Sequence, residues 1–134
     1  MMPEMMTQMM ATMPSGSMPM DMALMGDCME SCDAAMQAAT MCADACAGMD
    51  GMAACAGMCA NTADVAATTM RMMMRPSGSS MGAMMAMLEA CAAMGVECAM
   101  ECHSHEMEHG HCRVCAAACD RMVECCRAMM ASMR

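Results

Sequence analysis

Apolar and polar residues recur with a helical period of about 3.6 along most of this 134-residue chain. When residues are placed at about 100° intervals, the first periodic segment separates small apolar side chains from acidic ones. Its polar face carries Glu30, Asp33, Gln37 and Asp44. Its apolar face carries Cys28, Cys32, Ala35, Ala39, Cys42 and Cys46. This segment is therefore predicted to be an amphipathic helix.

Loop signals divide the chain into four such segments. Gly-rich or Pro-containing turns follow residues 47 and 74, and a polar loop spans about residues 103–110. Ser79 or Ser80 is placed to cap the third helix. The predicted helices cover about residues 26–47, 52–74, 81–102 and 111–130. Ala and Met favour helices, and short loops between helices of similar length predict an all-α, antiparallel up-down-up-down four-helix bundle.

The first 22 residues differ from the rest. They contain ten Met and three Pro and show little periodicity, so we expect a flexible Met-rich tail at residues 1–22 and a four-helix bundle domain at residues 23–134.

Composition changes the expected core. The chain has 32 Met and 14 Cys but no Phe, Trp or Tyr, so its interior must be built from Ala, Met and Cys. Ala buries little area, and Met specifies a packing arrangement poorly. A bound metal is expected to supply part of the order.

The net charge of −9 argues against nucleic acid and anionic membrane surfaces as partners. No uninterrupted apolar run reaches the roughly 20 residues of a membrane span, and no signal peptide is visible at the start. Together with the need for reduced thiols, this favours the cytoplasm. A periplasmic or secreted location is the alternative if a leader has been removed.

Thirteen of the 14 cysteines lie on predicted inward faces, and only Cys125 lies off them. Many form Cys-x-x-x-Cys pairs, whose Cβ atoms stand about 5–6 Å apart on a helix. Two thiolates at that separation can close on one copper(I) ion, a soft cation that thiolates and thioethers select. The predicted thiolate ligands are Cys28, Cys32, Cys42, Cys46, Cys55, Cys59, Cys91, Cys98, Cys102, Cys112, Cys115, Cys119 and Cys126.

The cysteine pattern leaves three other uses open. A zinc or general soft-metal detoxifying protein is the first alternative, although zinc favours closed tetrahedral sites and has little use for thioethers. Cross-helix disulfides are the second, although cysteines four apart on one helix have poor geometry for pairing with each other. A thiol-disulfide redox protein is the third, but it needs one exposed thiol of low pKa among inert ones.

Histidine and methionine add donors outside the cysteine faces. His103, His105, His109 and His111 cluster where the third and fourth helices meet, and neutral imidazole binds copper. Thioethers in the tail bind copper(I) without losing a proton. We expect these groups to assist capture and entry of the ion.

Two segments resemble the bacterial four-helix bundle, cysteine-rich copper storage proteins: Glu101-Cys102-His103 and residues 111–121, HCRVCAAACDR. The resemblance covers about residues 27–130. It implies a homotetramer of bundles, each storing many copper(I) ions on inward thiolates, with His and Met near one open end. The chain departs from the family pattern at Met94 and Met122, where members often have Cys, and these two residues are added to the expected ligands as weaker thioethers.

The sequence therefore predicts a non-enzymatic copper(I) storage or sequestration protein that binds multiple ions. The expected partners are copper ions, further copies of the chain, and proteins that donate or accept copper. Neither nucleic acid nor a membrane is expected.

Overall fold

The computed structural model describes residues 4–12 and 21–134. Within these residues the fold is all-α, with a single 3₁₀ turn at Pro76–Gly78 and no strand. The helices are α1 (Glu4–Thr12), α2 (Met22–Cys46), α3 (Ala53–Met74), α4 (Met81–His103) and α5 (Gly110–Met133).

Two side-chain caps set the starts of long helices. The Asp21 carboxylate accepts hydrogen bonds from the backbone N–H groups of Ala23 and Leu24, so α2 begins at Met22 rather than near the predicted residue 26. The Ser80 hydroxyl accepts from Ala83 N–H at 3.2 Å, which identifies the cap of α4 from the two serines considered. A cap of this kind stabilises a helix by about 1 kcal/mol.

Two glycines form the turn between α2 and α3. Gly48 and Gly51 have φ angles of 82° and 77°, in the left-handed region where a Cβ atom is penalised. The predicted turn at residues 48–51 is confirmed.

Each of the four long helices packs against two others. α2 contacts α3 and α5, and α4 contacts α3 and α5. The buried side chains form two adjoining clusters along this arrangement. Cysteine and alanine dominate the cluster at the α4–α5 loop, whereas methionine is prominent in the other. The buried sulfur atoms are thus mainly cysteine thiols at the end near the α4–α5 loop, and methionine thioethers become common at the other end.

A glycine brings α4 and α5 close together. A Cβ atom at Gly95 would lie 2.6 Å from Val123 Cγ2 and 3.1 Å from Met122 Cε. Only glycine fits this position without movement of its neighbours, and the close approach helps to bring the sulfur atoms of the two helices together.

Helix α4 is long and apolar enough to cross a membrane, by length and composition alone. Its apolar residues do not form one uninterrupted run, because the exposed Glu89 and Glu97 lie within the helix. Its buried face, which includes Cys91 and Cys98, packs in the interior between α3 and α5. Packing against α3 and α5 therefore accounts for the apolar residues of α4 in this fold.

Part of the predicted tail is helical. Residues 4–12 form α1, and Met6 and Met10 pack against the methionine-rich cluster. Residues 1–3 and 13–20 of the tail lie outside the described residues. The division into a tail at 1–22 and a bundle domain at 23–134 stays a prediction.

Candidate metal centre

Thirteen cysteines are buried in the helical interior, and Cys125 alone is half-buried. These are the same thirteen that the helical period placed inward. All fourteen lie in the described part of the chain, where each is a free thiol.

The buried thiols converge into four groups, each named here after one member. Within each group, every sulfur lies within 4.8 Å of every other. The Cys112 group is Cys42, Cys46, Cys55 and Cys112; the Cys102 group is Cys42, Cys59, Cys102 and Cys115; the Cys119 group is Cys98, Cys115 and Cys119; the Cys28 group is Cys28, Cys32 and Cys126.

Shared residues connect these groups. Cys42 belongs to both the Cys112 and Cys102 groups, and Cys115 belongs to both the Cys102 and Cys119 groups. The sulfur of Cys59 lies 3.6 Å from that of Cys102 and 3.9 Å from that of Cys115. Three of the four groups therefore form one continuous series of donors rather than separate sites.

A mixed pair of donors lies between this series and the Cys28 group. The Cys91 thiol donates to Met122 Sδ across the α4–α5 interface at 3.6 Å, and both side chains are fully buried. Met94, the other predicted thioether ligand, is only half-buried on α4. The structure thus sets Met122, but not Met94, in direct contact with a thiol.

His111 is the histidine that reaches the sulfur atoms. Its Nδ1 lies 3.4 Å from the sulfur of Cys42, 3.6 Å from that of Cys112 and 3.9 Å from that of Cys46. Its Nε2 is buried without a hydrogen-bond partner. His109 lies beside it, with ring centroids 5.3 Å apart. An imidazole therefore stands at the end of the series of thiols.

The other two predicted histidines are engaged with carboxylates. His103 lies 2.9 Å from Asp120 and 3.0 Å from Glu106, and His105 lies 2.7 Å from Glu101. Asp120 and then Glu106 raise the pKa of His103, because both carboxylates favour its charged form. A protonated imidazole cannot bind a metal, so these contacts oppose a ligand role for His103.

Burial and neighbouring thiols set the protonation of the cysteines. Burial raises the pKa of Cys112 to about 12, and it is also the main reason that the pKa values of Cys42 and Cys55 are raised. In the Cys28 group, hydrogen bonding with Cys126 and then Cys32 lowers the pKa of Cys28 to about 5. The pKa of Cys32 is raised in return, first by its interaction with Cys126.

The same division occurs in the Cys119 group. Interaction with Cys102 and then Cys115 lowers the pKa of Cys98, whereas interaction with Cys102 raises that of Cys115. In both groups, hydrogen bonds between neighbouring sulfur atoms favour the ionised form of one thiol and the neutral form of another. This arrangement provides an initial thiolate for a soft cation, and further protons must leave as more sulfur atoms bind.

Several features of the site were not predicted from sequence. Asp120, the partner of His103, is 17 positions away in the chain and carries no signal of that pairing. Met25 and Met29 are 5% and 4% exposed at the start of α2, although Met25 precedes the predicted helix start at residue 26 and neither residue was singled out. The sequence signal for their burial was their spacing, because Met25 lies three residues before Cys28 and Met29 lies three residues before Cys32.

The model of a family described as "Csp: Copper storage protein" matches residues 21–131. No curated protein matches the chain. Among solved structures, the copper storage protein Ccsp from Streptomyces lividans, loaded with 10 copper equivalents, is 34% identical. That match covers 93% of this chain and 97% of the other, with a TM-score of 0.88.

Two further structures of Streptomyces lividans proteins are similar. One, described as copper loading to a cytosolic copper storage protein with five coppers, is 36% identical and has a TM-score of 0.77. This match covers 81% of this chain and 93% of the other. A Ccsp variant with one histidine changed to alanine is 34% identical, with a TM-score of 0.82 and coverage of 87% and 99%.

Proposed function

The chain belongs to the copper storage protein family, and on that premise we propose that it holds several copper(I) ions on the inward cysteine thiolates of an antiparallel, up-down-up-down four-helix bundle. The contacts between the long helices support this topology, because each helix packs against two others and is joined to the next by a short connection.

The observation that carries the proposal is the linked series of thiol groups. Copper(I) is soft and is selected by thiolate and thioether ligands. Three- and four-sulfur groups that share Cys42 and Cys115 provide neighbouring positions for several ions inside one bundle. The thirteen buried cysteines and Met122 are the proposed ligands, with Met94 as a peripheral thioether.

Entry at the His111 end is supported by geometry. His111 is half-buried and is in contact with three thiols of the Cys112 group, so it can pass an ion from the surface to them. His109 is placed to assist through its neighbouring ring. For His103 and His105, an entry role remains a prediction that must overcome their contacts with carboxylates.

Loading exchanges protons for copper. Raised pKa values at Cys42, Cys55 and Cys112 mean that these thiols are neutral at pH 7, so each thiolate ligand formed there releases a proton. Thioethers release none. A store of this kind binds and releases its cargo without chemical conversion, and we accordingly propose no catalytic activity.

Zinc is the second candidate, because two of the groups contain four thiols, the number that structural zinc sites use. The three-thiol groups and the contact between Cys91 and Met122 favour copper(I) instead. Anaerobic competition of copper(I) against zinc separates the two candidates: zinc retained in the presence of equimolar copper would favour the second.

Assembly, compartment and partners are further parts of the proposal. Family resemblance supports a homotetramer, which sedimentation analysis of the apo and loaded forms tests. The cytosolic description of a 36%-identical Streptomyces lividans protein, together with the need for reduced thiols, supports the cytoplasm. Proteins that load or unload the store are proposed as transient partners.

The decisive experiment is an anaerobic titration of the fully reduced chain with copper(I) in the presence of a chromophoric copper(I) chelator. We expect many equivalents to be withheld from the chelator. Cys115→Ala, which removes a thiol shared by two groups, should lower the number withheld, whereas Cys125→Ala should leave it nearly unchanged. One equivalent or none for the parent chain would refute storage.

A further inference from the structure

A pocket of about 120 Å³ lies at the end of the helices opposite His111. Met25 and Met29, in the first two turns of α2, line the pocket, whereas His111 contacts Cys42 and Cys46 in the last two turns of that helix. We call this cavity the Met pocket, because seven methionines and Pro76 form its lining.

Helix α1 supplies three of these methionines. Met6, Met9 and Met10 line the pocket, and Met6 and Met10 also pack against the methionine-rich core cluster. Met9 is 55% exposed, so the pocket has a thioether within reach of solvent. Helix α1, which lies in the predicted tail, therefore forms one wall of the cavity.

The bundle supplies the deeper wall. Met25 and Met29 from α2 and Met73 from α3 are each at most 5% exposed, and Met74 is half-buried beside them. An ordinary apolar cavity would be lined with branched and aromatic side chains as well. Here every lining residue except Pro76 carries a thioether sulfur.

The pocket leads towards thiols along one face of α2. Met25 and Met29 are four residues apart, each is followed three residues later by a cysteine, Cys28 or Cys32, and all four side chains are buried on one side of α2. Cys28 and Cys32 belong to the Cys28 group with Cys126, whose sulfur lies 3.8 Å from that of Cys28. Thioethers near solvent thus give way to thiols in the interior.

Thioethers suit the first contact with copper(I). They select soft cations and need not lose a proton to bind, so they accept the ion at any pH at which the chain is folded. The excess negative charge of the chain, −9, favours the approach of a cation from solution. Thiolates bind copper(I) more tightly, so an ion passing from Met29 to Cys32 moves to a stronger ligand.

We propose that the Met pocket is a thioether site for copper(I) that delivers the ion to the Cys28 group, so that the interior is loaded from both ends. This inference rests on the proposed storage function. The site at the Met pocket is chemically distinct from that at His111, because it has sulfur donors only and involves no group that titrates.

The first test observes the pocket directly. The full-length chain is labelled with ¹³C in the methionine methyl groups, reduced, and titrated anaerobically with copper(I). Resonances of the pocket methionines, assigned by single Met→Leu changes, should shift or broaden as copper is added. Those of Met41 and Met100, which are 72% and 69% exposed, should not move. Unmoved pocket resonances at full loading would overturn the inference.

The second test measures delivery. Met6→Leu, Met9→Leu and Met10→Leu together keep the apolar bulk but remove three sulfur atoms, and Met41→Leu and Met100→Leu together form the control. In a His111→Ala background, stopped-flow loading should be at least fivefold slower in the pocket variant than in the control. Equal rates would overturn delivery through the pocket.

The two proposals fail in different ways. If the thiols withhold many ions but the pocket methyl groups do not respond, storage stands and the Met pocket is apolar packing only. If the pocket methyl groups respond while the chelator removes every ion, the pocket binds copper(I) and the store is refuted.

Discussion

Cys91 Sγ and Met122 Sδ lie 3.6 Å apart where α4 and α5 face each other, at a point where the chain offers a thioether beside a thiol. The position divides the linked thiol groups near His111 from the Cys28 group. An ion that moved between these two parts of the interior would pass the Met122 thioether beside the Cys91 thiol.

Changing Met122 should alter copper retention without much change in folding. Met122→Leu conserves volume and is expected to cost less than about 1.5 kcal/mol of stability, while removing the sulfur beside Cys91. Fewer copper(I) equivalents should then be withheld from a chelator. Met122→Cys should restore or exceed the parent number, and the exposed Met41→Leu serves as the control. Identical retention by Met122→Leu and the parent would show that this sulfur holds no copper.

Gly95→Ala should destabilise the apo protein. The new Cβ atom would overlap Val123 Cγ2, at 2.6 Å, and push α4 away from α5. Overpacking of this kind costs about 1–3 kcal/mol, which anaerobic chemical denaturation measures. Gly57→Ala, at a helical position with nothing within 4 Å, is the matched control and should be neutral or stabilising.

Stability of the apo protein should fall as the pH rises above about 9. The folded-state pKa values of Cys42, Cys55 and Cys112 lie above the ordinary value of 9.0, so the unfolded chain loses these protons first. Their contribution is fully present below pH 9 and is lost as the pH rises through the folded values. The slope is up to about 1.4 kcal/mol per pH unit for each thiol.

Thermal unfolding of the reduced apo chain between pH 8 and 11 measures this effect. A variant with all three cysteines changed to alanine should show a smaller fall over the same range. An equal fall in unfolding temperature for the parent and the variant would show that other groups cause the effect.

Copper loading should raise the unfolding temperature. An ion that binds only the folded chain adds about 2.7 kcal/mol for each site when its free concentration is 100 times the dissociation constant. The core lacks aromatic residues, so such a contribution is large relative to its packing energy. Calorimetry of the apo and loaded forms tests this, and coincident transitions would contradict binding within the folded interior.

The helical faces could be predicted from sequence because a single period determines which side chains point inward. That is why all thirteen inward cysteines are found buried. The sorting of those cysteines into groups could not be predicted, since it depends on how far each helix is displaced along its neighbours. Cys59 joins Cys102 and Cys115 through contacts that span 43 and 56 residues of sequence.

The histidines show a related limit. Sequence placed all four near one end, but only a three-dimensional arrangement distinguishes His111, next to thiols, from His103, next to Asp120. Helix α1 was also missed, because a nine-residue helix has little intrinsic stability and depends on tertiary packing through Met6 and Met10.

The close spacing of the sulfur atoms has a mechanical consequence. Neighbouring thiols stand 3.6–3.9 Å apart. An ion held in line between two of them needs about 4.6 Å, twice the metal–thiolate bond of about 2.3 Å known for zinc. Each filled position must therefore spread its walls by about 1 Å or less. Methionine, with its unbranched and easily rotated side chain, yields to such a displacement where a stiff aromatic ring would resist it, so the interior can swell elastically as its cargo accumulates.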